Sequence, residues 1–167
     1  MSERIEPATL ADGPAILALR RSAEDWLVAR GITQWQPGWL TLADIEPEII
    51  AGEWHLLRDG AELIGALRLL WSDERVWRDE NAFAVYVHGL MINRKYQGQD
   101  VGVRLLRWAE EQGRAAGAPE LRLDCLEDNP PLRQYYARQG FREVGRRDFG
   151  GHWYSAVLLT KPIAAAN

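Results

Sequence analysis

The sequence has almost no cysteine. Cys125 stands alone, so no disulfide can close within the chain and no cysteine-based zinc cluster can form. It has no excess of positive charge. The 24 acidic and 20 basic residues leave a formal net charge of -4, which removes a general attraction for nucleic acid or an anionic membrane surface. No apolar run approaches the ~20 residues that cross a bilayer. The N-terminus, MSERIEPATLADG, lacks the basic head and apolar run of a secretory signal. Internal repeats, low-complexity tracts and long linkers are missing as well. These absences point to a cytoplasmic protein, with no nucleic acid or membrane among its partners.

What is present fits one folded domain. The 167 residues are 47% apolar and 26% charged, a balance that can build and solvate a single core. Residues 1–163 read as that domain and 164–167 as a short frayed tail. Glu3 to Pro7 reads as a strand. Ala11, Asp12 and Gly13 start a helix with Pro14 in its first turn, and Gly31 ends it. Thr41 and Asp44 begin a second helix. Trp54 to Leu57 and Leu63 to Trp71 read as strands around an Asp59-Gly60 turn. Phe83 to Ile92 is an apolar, central strand. Val101 to Ala116 is an amphipathic helix. Glu120 to Leu126 is a strand, and a short helix follows from Pro130 or Pro131 to Gly140. Phe141 to Gly145 and Trp153 to Thr160 are the last two strands. This mixed order implies an α/β fold.

The charges are uneven along the chain. Residues 44–80 are rich in acids, and residues 94–147 are rich in arginine. One anionic and one cationic ligand would suit that division, although solvated faces explain it equally well. The most informative stretch is Asn93-Arg94-Lys95-Tyr96-Gln97-Gly98-Gln99-Asp100-Val101-Gly102-Val103. It joins a buried strand to a helix N-terminus. Such a turn leaves backbone N–H groups pointing outward in the positive field of the helix dipole, which is a phosphate-binding arrangement. Gly98 and Gly102 permit close approach to the backbone. A turn with a helix cap would explain the same spacing. The stretch is neither a Walker loop nor a dinucleotide fingerprint.

Further motifs follow in order: Tyr86-Val87-His88-Gly89-Leu90-Met91-Ile92, then Gln97 to Gly102, then Asn129, Tyr136 and Gly140-Phe141. Together they resemble the GNAT superfamily of N-acetyltransferases, most sharply from Tyr86 to Phe141. The resemblance implies a single-domain α/β fold. Its mixed, mostly antiparallel sheet would have six to seven strands, two of them splayed at the centre, and about four flanking helices. It implies acetyl-CoA as the acyl donor, a primary amine as acceptor, and a direct attack that needs no metal. Backbone groups of Leu90, Met91 and Ile92 would bind the pantetheine and acetyl groups. Gln97, Gly98, Gln99, Asp100, Val101, Gly102 and Val103 would surround the pyrophosphate. Asn129 would bond the pantetheine arm or cap its helix, and Arg133 would add positive charge. Tyr136 lies in the register of the family's general acid, whereas Tyr135 and Cys125 read as packing.

The base is open at this level. His88 has a suitable intrinsic pKa, and Glu80, Asp79 and Glu53 could act through a water. Asp100 departs from the family pattern, which has glycine there. A carboxylate at that point would cap the helix and repel phosphates. For the acceptor, Trp35, Trp39, Trp71 and Glu80 would suit a small cationic amine with an apolar body. A homodimer is implied by resemblance alone. Two alternatives stand beside the transferase: a GNAT-like binding or regulatory module with weakened or lost coenzyme binding, and a transferase using another acyl donor.

Overall fold

The computed structural model describes residues 2–32, 34–78, 82–150 and 155–166. Asp79, Glu80 and Trp153 lie outside the described residues. The elements run β1 (Glu3–Pro7), α1 (Gly13–Val28), α2 (Leu42–Ile50), β2 (Trp54–Asp59), β3 (Glu62–Leu70), α3 (Glu74–Trp77), β4 (Val85–Ile92), α4 (Val101–Ala116), β5 (Glu120–Leu126), α5 (Pro130–Arg138), β6 (Arg142–Arg147) and β7 (Ala156–Pro162). The seven strands form one sheet in the order β1-β2-β3-β4-β5-β7-β6. The α/β fold expected from the sequence is thus present. The added helix is α3, a single turn that carries no apolar periodicity and so left no signal. Trp71 and Phe83, read from the sequence as strand residues, fall outside β3 and β4 and are exposed.

The chain divides into two compact units, Met1–Leu69 with Gly89–Leu106, and Leu70–His88 with Arg107–Asn167. In the first, β1, β2 and β3 pair antiparallel. Its core gathers Ile16, Leu19, Ile45, Ile49, Trp54, Leu56, Ala66 and Met91, brought together because α1 and α2 each repeat an apolar residue every three or four positions. Capping boxes start this region twice. Asp12 accepts from the Thr9 amide at 2.7 Å, and Asp44 from the Thr41 amide at 2.8 Å. Glu24, on α1 and 1% exposed, is neutralised by Arg20 at 2.9 Å and Arg21 at 3.1 Å. It also accepts from the Gly38 amide at 3.1 Å, which ties down the segment carrying Trp39.

In the second unit β5, β7 and β6 are antiparallel, and β4 joins β5 in parallel. That parallel ladder comprises two rungs, Val85 with Leu121 and Tyr86 with Arg122. Trp77, Ala84 and Tyr86 form a buried cluster beside it. Gly113 in α4 is required by packing, since a Cβ there would stand 2.7 Å from both Val85 and Ile163 side chains. Among the described residues, no helix is long and apolar enough to cross a membrane.

Candidate active site

The loop after β4 belongs to the first unit and is anchored from both ends. The Asn93 amide donates to the Ile64 carbonyl at 2.8 Å and its side chain to the Leu63 carbonyl at 3.0 Å. Tyr96 and Lys95 both bond Glu62, and these two bonds hold the Glu62 carboxyl below the usual carboxylate range. The loop backbone then divides its amides into two sets. Gln97 and Gln99 donate to the carbonyls of Arg94 and Tyr96, at 3.1 and 3.2 Å. The amides of Gly98, Asp100, Val101, Gly102 and Val103 have no acceptor among the described residues. Residues 97–100 are exposed, so those N–H groups open to solvent at the N-terminus of a 16-residue helix. Arg104 reaches back to the Gln99 carbonyl at 2.5 Å and to Glu3 at 3.2 Å, fixing the turn.

Asp100 does not do what its residue type suggested. Its φ is +56°, in the left-handed region that glycine favours, and its carboxylate accepts no hydrogen bond among the described residues. An N-capping residue has an extended backbone. Asp100 instead occupies the backbone shape of the expected glycine and leaves the amides unsealed. Its carbonyl accepts from the Arg104 amide at 3.0 Å and so begins the helix. Of the arginines near this loop, Arg94 stacks on Trp26 at 3.6 Å.

The second unit holds the titratable residues. Tyr136, on α5, is 6% exposed and packs edge-on against Tyr135 and Phe141, at 5.5 and 5.6 Å between ring centroids. Burial, and after it Cys125, Tyr135 and Asp124, push the hydroxyl above its ordinary pKa. The phenol therefore stays protonated at neutral pH. Asn129 caps α5, its side-chain oxygen accepting from the Leu132 amide at 3.3 Å. Arg133 is engaged by Glu143, at 2.6 and 2.8 Å, and by the Glu127 carbonyl at 3.0 Å. Cys125 is buried, and burial pushes its thiol up to about 12.

His88 lies on β4 between two carboxylates. Its Nε2 meets Asp73 Oδ2 at 2.7 Å, and its Nδ1 lies 3.7 Å from Asp124 Oδ1. Asp73 precedes α3, and its other oxygen accepts from the Val76 amide at 3.3 Å. Asp124 comes from β5, where burial pushes its carboxyl up against the opposing pull of His88. The donor atoms of the three residues lie within 4.8 Å of one another, a spacing that an ion could share. Each ring nitrogen, however, faces its own carboxylate, the arrangement of a charge relay rather than of ligands converging on a point. Nothing in the sequence paired Asp73 or Asp124 with His88. The available signal was an aspartate three residues before Val76 and a lone charge between Leu123 and Cys125. Glu53, the other base candidate among the described residues, is held by Arg68 at 2.5 and 3.0 Å.

The acceptor candidates divide by exposure. Trp35 packs against the first unit's core with Arg20 3.9 Å above its ring. Trp39 is 54% exposed. Trp71, 41% exposed, stacks on Phe83 at 6.0 Å in the second unit.

Known proteins share this fold. The family model described as acetyltransferase (GNAT) family matches residues 19–141. The chain belongs to the GNAT acetyltransferase family. It is accordingly an acyltransferase. A curated relative, the uncharacterized N-acetyltransferase YesJ of Bacillus subtilis, is 31% identical over 93% of this chain and 90% of its own length. A GNAT-family acetyltransferase from Listeria monocytogenes is 29% identical and superposes with a TM-score of 0.81, covering 96% of this chain and 94% of that one. The PaiA N-acetyltransferase of Thermoplasma acidophilum, solved in complex with coenzyme A, shares the fold at 19% identity and a TM-score of 0.76, covering 97% and 99%.

Proposed function

We propose that this GNAT enzyme moves the acetyl group of acetyl-CoA to a primary amine of a small molecule, by direct attack of the amine on the thioester carbon. The observation that carries the donor assignment is the set of five open amides at Gly98, Asp100, Val101, Gly102 and Val103. They offer a diphosphate what a helix N-terminus offers any anion. Leu90, Met91 and Ile92 supply backbone contacts to the pantetheine and the acetyl carbonyl, and Asn129 bonds the pantetheine arm. Gln97 and Gln99 contribute side chains, since their amides are already bonded. Arg133 adds charge only where a phosphate draws it from Glu143.

Tyr136 is the general acid. A buried phenol stays neutral until the thiolate develops, then stabilises it by a hydrogen bond that becomes a proton transfer. Its hydroxyl has no partner among the described residues, which leaves it available for that bond. His88 is the base for the incoming ammonium. Trp35, Trp39, Trp71 and Glu80 are assigned to the acceptor, a cationic amine with an apolar body. Residues 1–163 act as one catalytic domain, in a cytoplasmic homodimer.

Incubation with labelled acetyl-CoA, a panel of small amines and a cell protein extract tests this. Label is expected on small amines. Label on proteins alone would overturn the acceptor class. The free Asp100 carboxylate favours a second reading, a GNAT-like binding or regulatory module in which coenzyme binding is weakened or lost. No labelled product, together with little or no thermal shift on adding acetyl-CoA, would establish that reading instead.

A further inference from the structure

Glu24 stands where α1 calls for an apolar residue. It falls on the buried stripe of that helix with Ile16, Leu19 and Leu27, and only 1% of it is exposed. A leucine would fill such a position with no charge to desolvate, and a buried ion pair adds little net stability over an apolar side chain. An apolar side chain could not, however, bond the segment that follows the helix. Glu24 accepts from Arg20 Nε at 2.9 Å, from Arg21 at 3.1 Å and from the Gly38 amide at 3.1 Å.

The Gly38 amide belongs to a tight turn. The Trp39 amide donates to the Gln36 carbonyl at 3.2 Å, and Pro37 and Gly38 hold the central positions, with Gly38 at φ +81°. That is the residue order of a type II turn, in which the third residue's N–H takes no part in the turn's own bond. Glu24 supplies its acceptor. Two residues on, the Leu40 carbonyl accepts from Arg21 at 2.7 Å. Trp39 therefore stands between two backbone anchors, and both reach α1 through the same ion pair. On either side of it, Trp35 and Leu40 pack against the core of the first unit. Trp39 itself is 54% exposed, a large indole carried on backbone that is fixed before and after it.

We propose that Glu24 and Arg21 are positioning residues for the acceptor amine, holding Trp39 in place before the amine arrives. This rests on the assignment of Trp39 to the acceptor and deepens it. An indole attracts a cation only within ~6 Å of the ring centre, so the ring must be held where the ammonium docks. A ring set in advance loses no conformational freedom when the amine binds. Arg20 lies 3.9 Å above the Trp35 ring and shields that face from a second cation. Trp35 is thereby a wall for the apolar body, and Trp39 is the ring for the charge. Among the described residues neither Glu24 nor Arg21 bonds residues 97–103, so loss of the clamp weakens the amine and not the coenzyme.

Two measurements test this. The first is hydrogen exchange of the Gly38 amide in the full chain without ligand, read by NMR. It is expected to be at least about tenfold slower than in an unstructured chain, and to lose that protection in Glu24→Met. Unprotected exchange in the wild type would overturn the proposal, and this readout needs no variant to fold. The second is steady-state kinetics with the best substrate among 2-phenylethylamine, benzylamine and pentylamine. The Arg21 side chain is 37% exposed, so Arg21→Met should fold. It should raise KM for the amine about tenfold and leave kcat and the KM for acetyl-CoA unchanged. Arg21→Lys keeps the charge and should recover part of the affinity. Glu24→Gln still offers Gly38 an acceptor and should raise the amine KM less than Glu24→Met. An unchanged amine KM in folded Arg21→Met, or an equal rise in the KM for acetyl-CoA, would overturn the positioning role and leave the transferase standing. A wild type that acetylates none of the three amines would remove the acceptor reading and the positioning role with it, whatever the exchange of Gly38 shows.

Discussion

Around His88 each ring nitrogen faces a carboxylate. Around Gly98 five amides face no acceptor at all among the described residues. The first region carries its own counter-charges and is built from side chains in the second unit. The second region is built from backbone in the first unit, and its partial positive charge meets no hydrogen-bond acceptor among the described residues. A set of paired charges is suited to moving a proton, because the proton's arrival and departure are both compensated. A set of unpaired donors is suited to holding an anion brought from outside. On the proposed reading the first region carries the chemistry and the second the binding, and each should be open to damage without the other.

The largest expected effect is on the chemical side. Tyr136→Phe should lower kcat about 100-fold while leaving the Kd for coenzyme A, read by calorimetry, unchanged. An equal loss in binding would merge the two regions. The next is on the binding side. Asp100→Gly removes a carboxylate beside the diphosphate and should tighten coenzyme A about tenfold, with kcat unaltered. It also relieves a left-handed aspartate at φ +56°, an effect partly offset by the freedom glycine gains in the unfolded chain. Affinity left unchanged or weakened would refute the reading of this loop.

The smallest effect concerns Cys125. Burial raises its folded pKa from a reference of 9.0 to about 12. The folded state therefore holds the thiol proton more tightly. Stability owing to this group is flat below pH 9 and falls as pH rises from there to about 12. Iodoacetamide at pH 8 should alkylate the native thiol at least about 100-fold more slowly than a free one, read by mass spectrometry. Rapid alkylation would show that the second unit is open at Cys125.

The order of strands and helices was legible because apolar spacing of two or about four residues is a local property. The strand–loop–helix at residues 85–116 could be read the same way, with Gly98 marking the turn. Asp100 could not. By type it is a cap, and only the backbone angle shows that it fills a glycine's place. The tryptophans divide for a similar reason. Trp54 is core and bonds Glu48 at 2.8 Å, whereas Trp39 and Trp71 are exposed, and nothing in the residue type separates them. Glu24 reads as an ordinary surface acid until Arg20, Arg21 and the Gly38 amide are seen around it.

The sequence by itself determined the alternation of elements, the glycine turn ahead of an amphipathic helix, and the identity of the acid and base candidates. Only the tertiary structure decided that the amides stay open, that Arg133 is bound to Glu143, and that His88 is held by Asp73, 15 residues away, and faces Asp124. Spacing along a chain sets which residues share a face, but a hydrogen bond between distant residues depends on where two strands stop pairing.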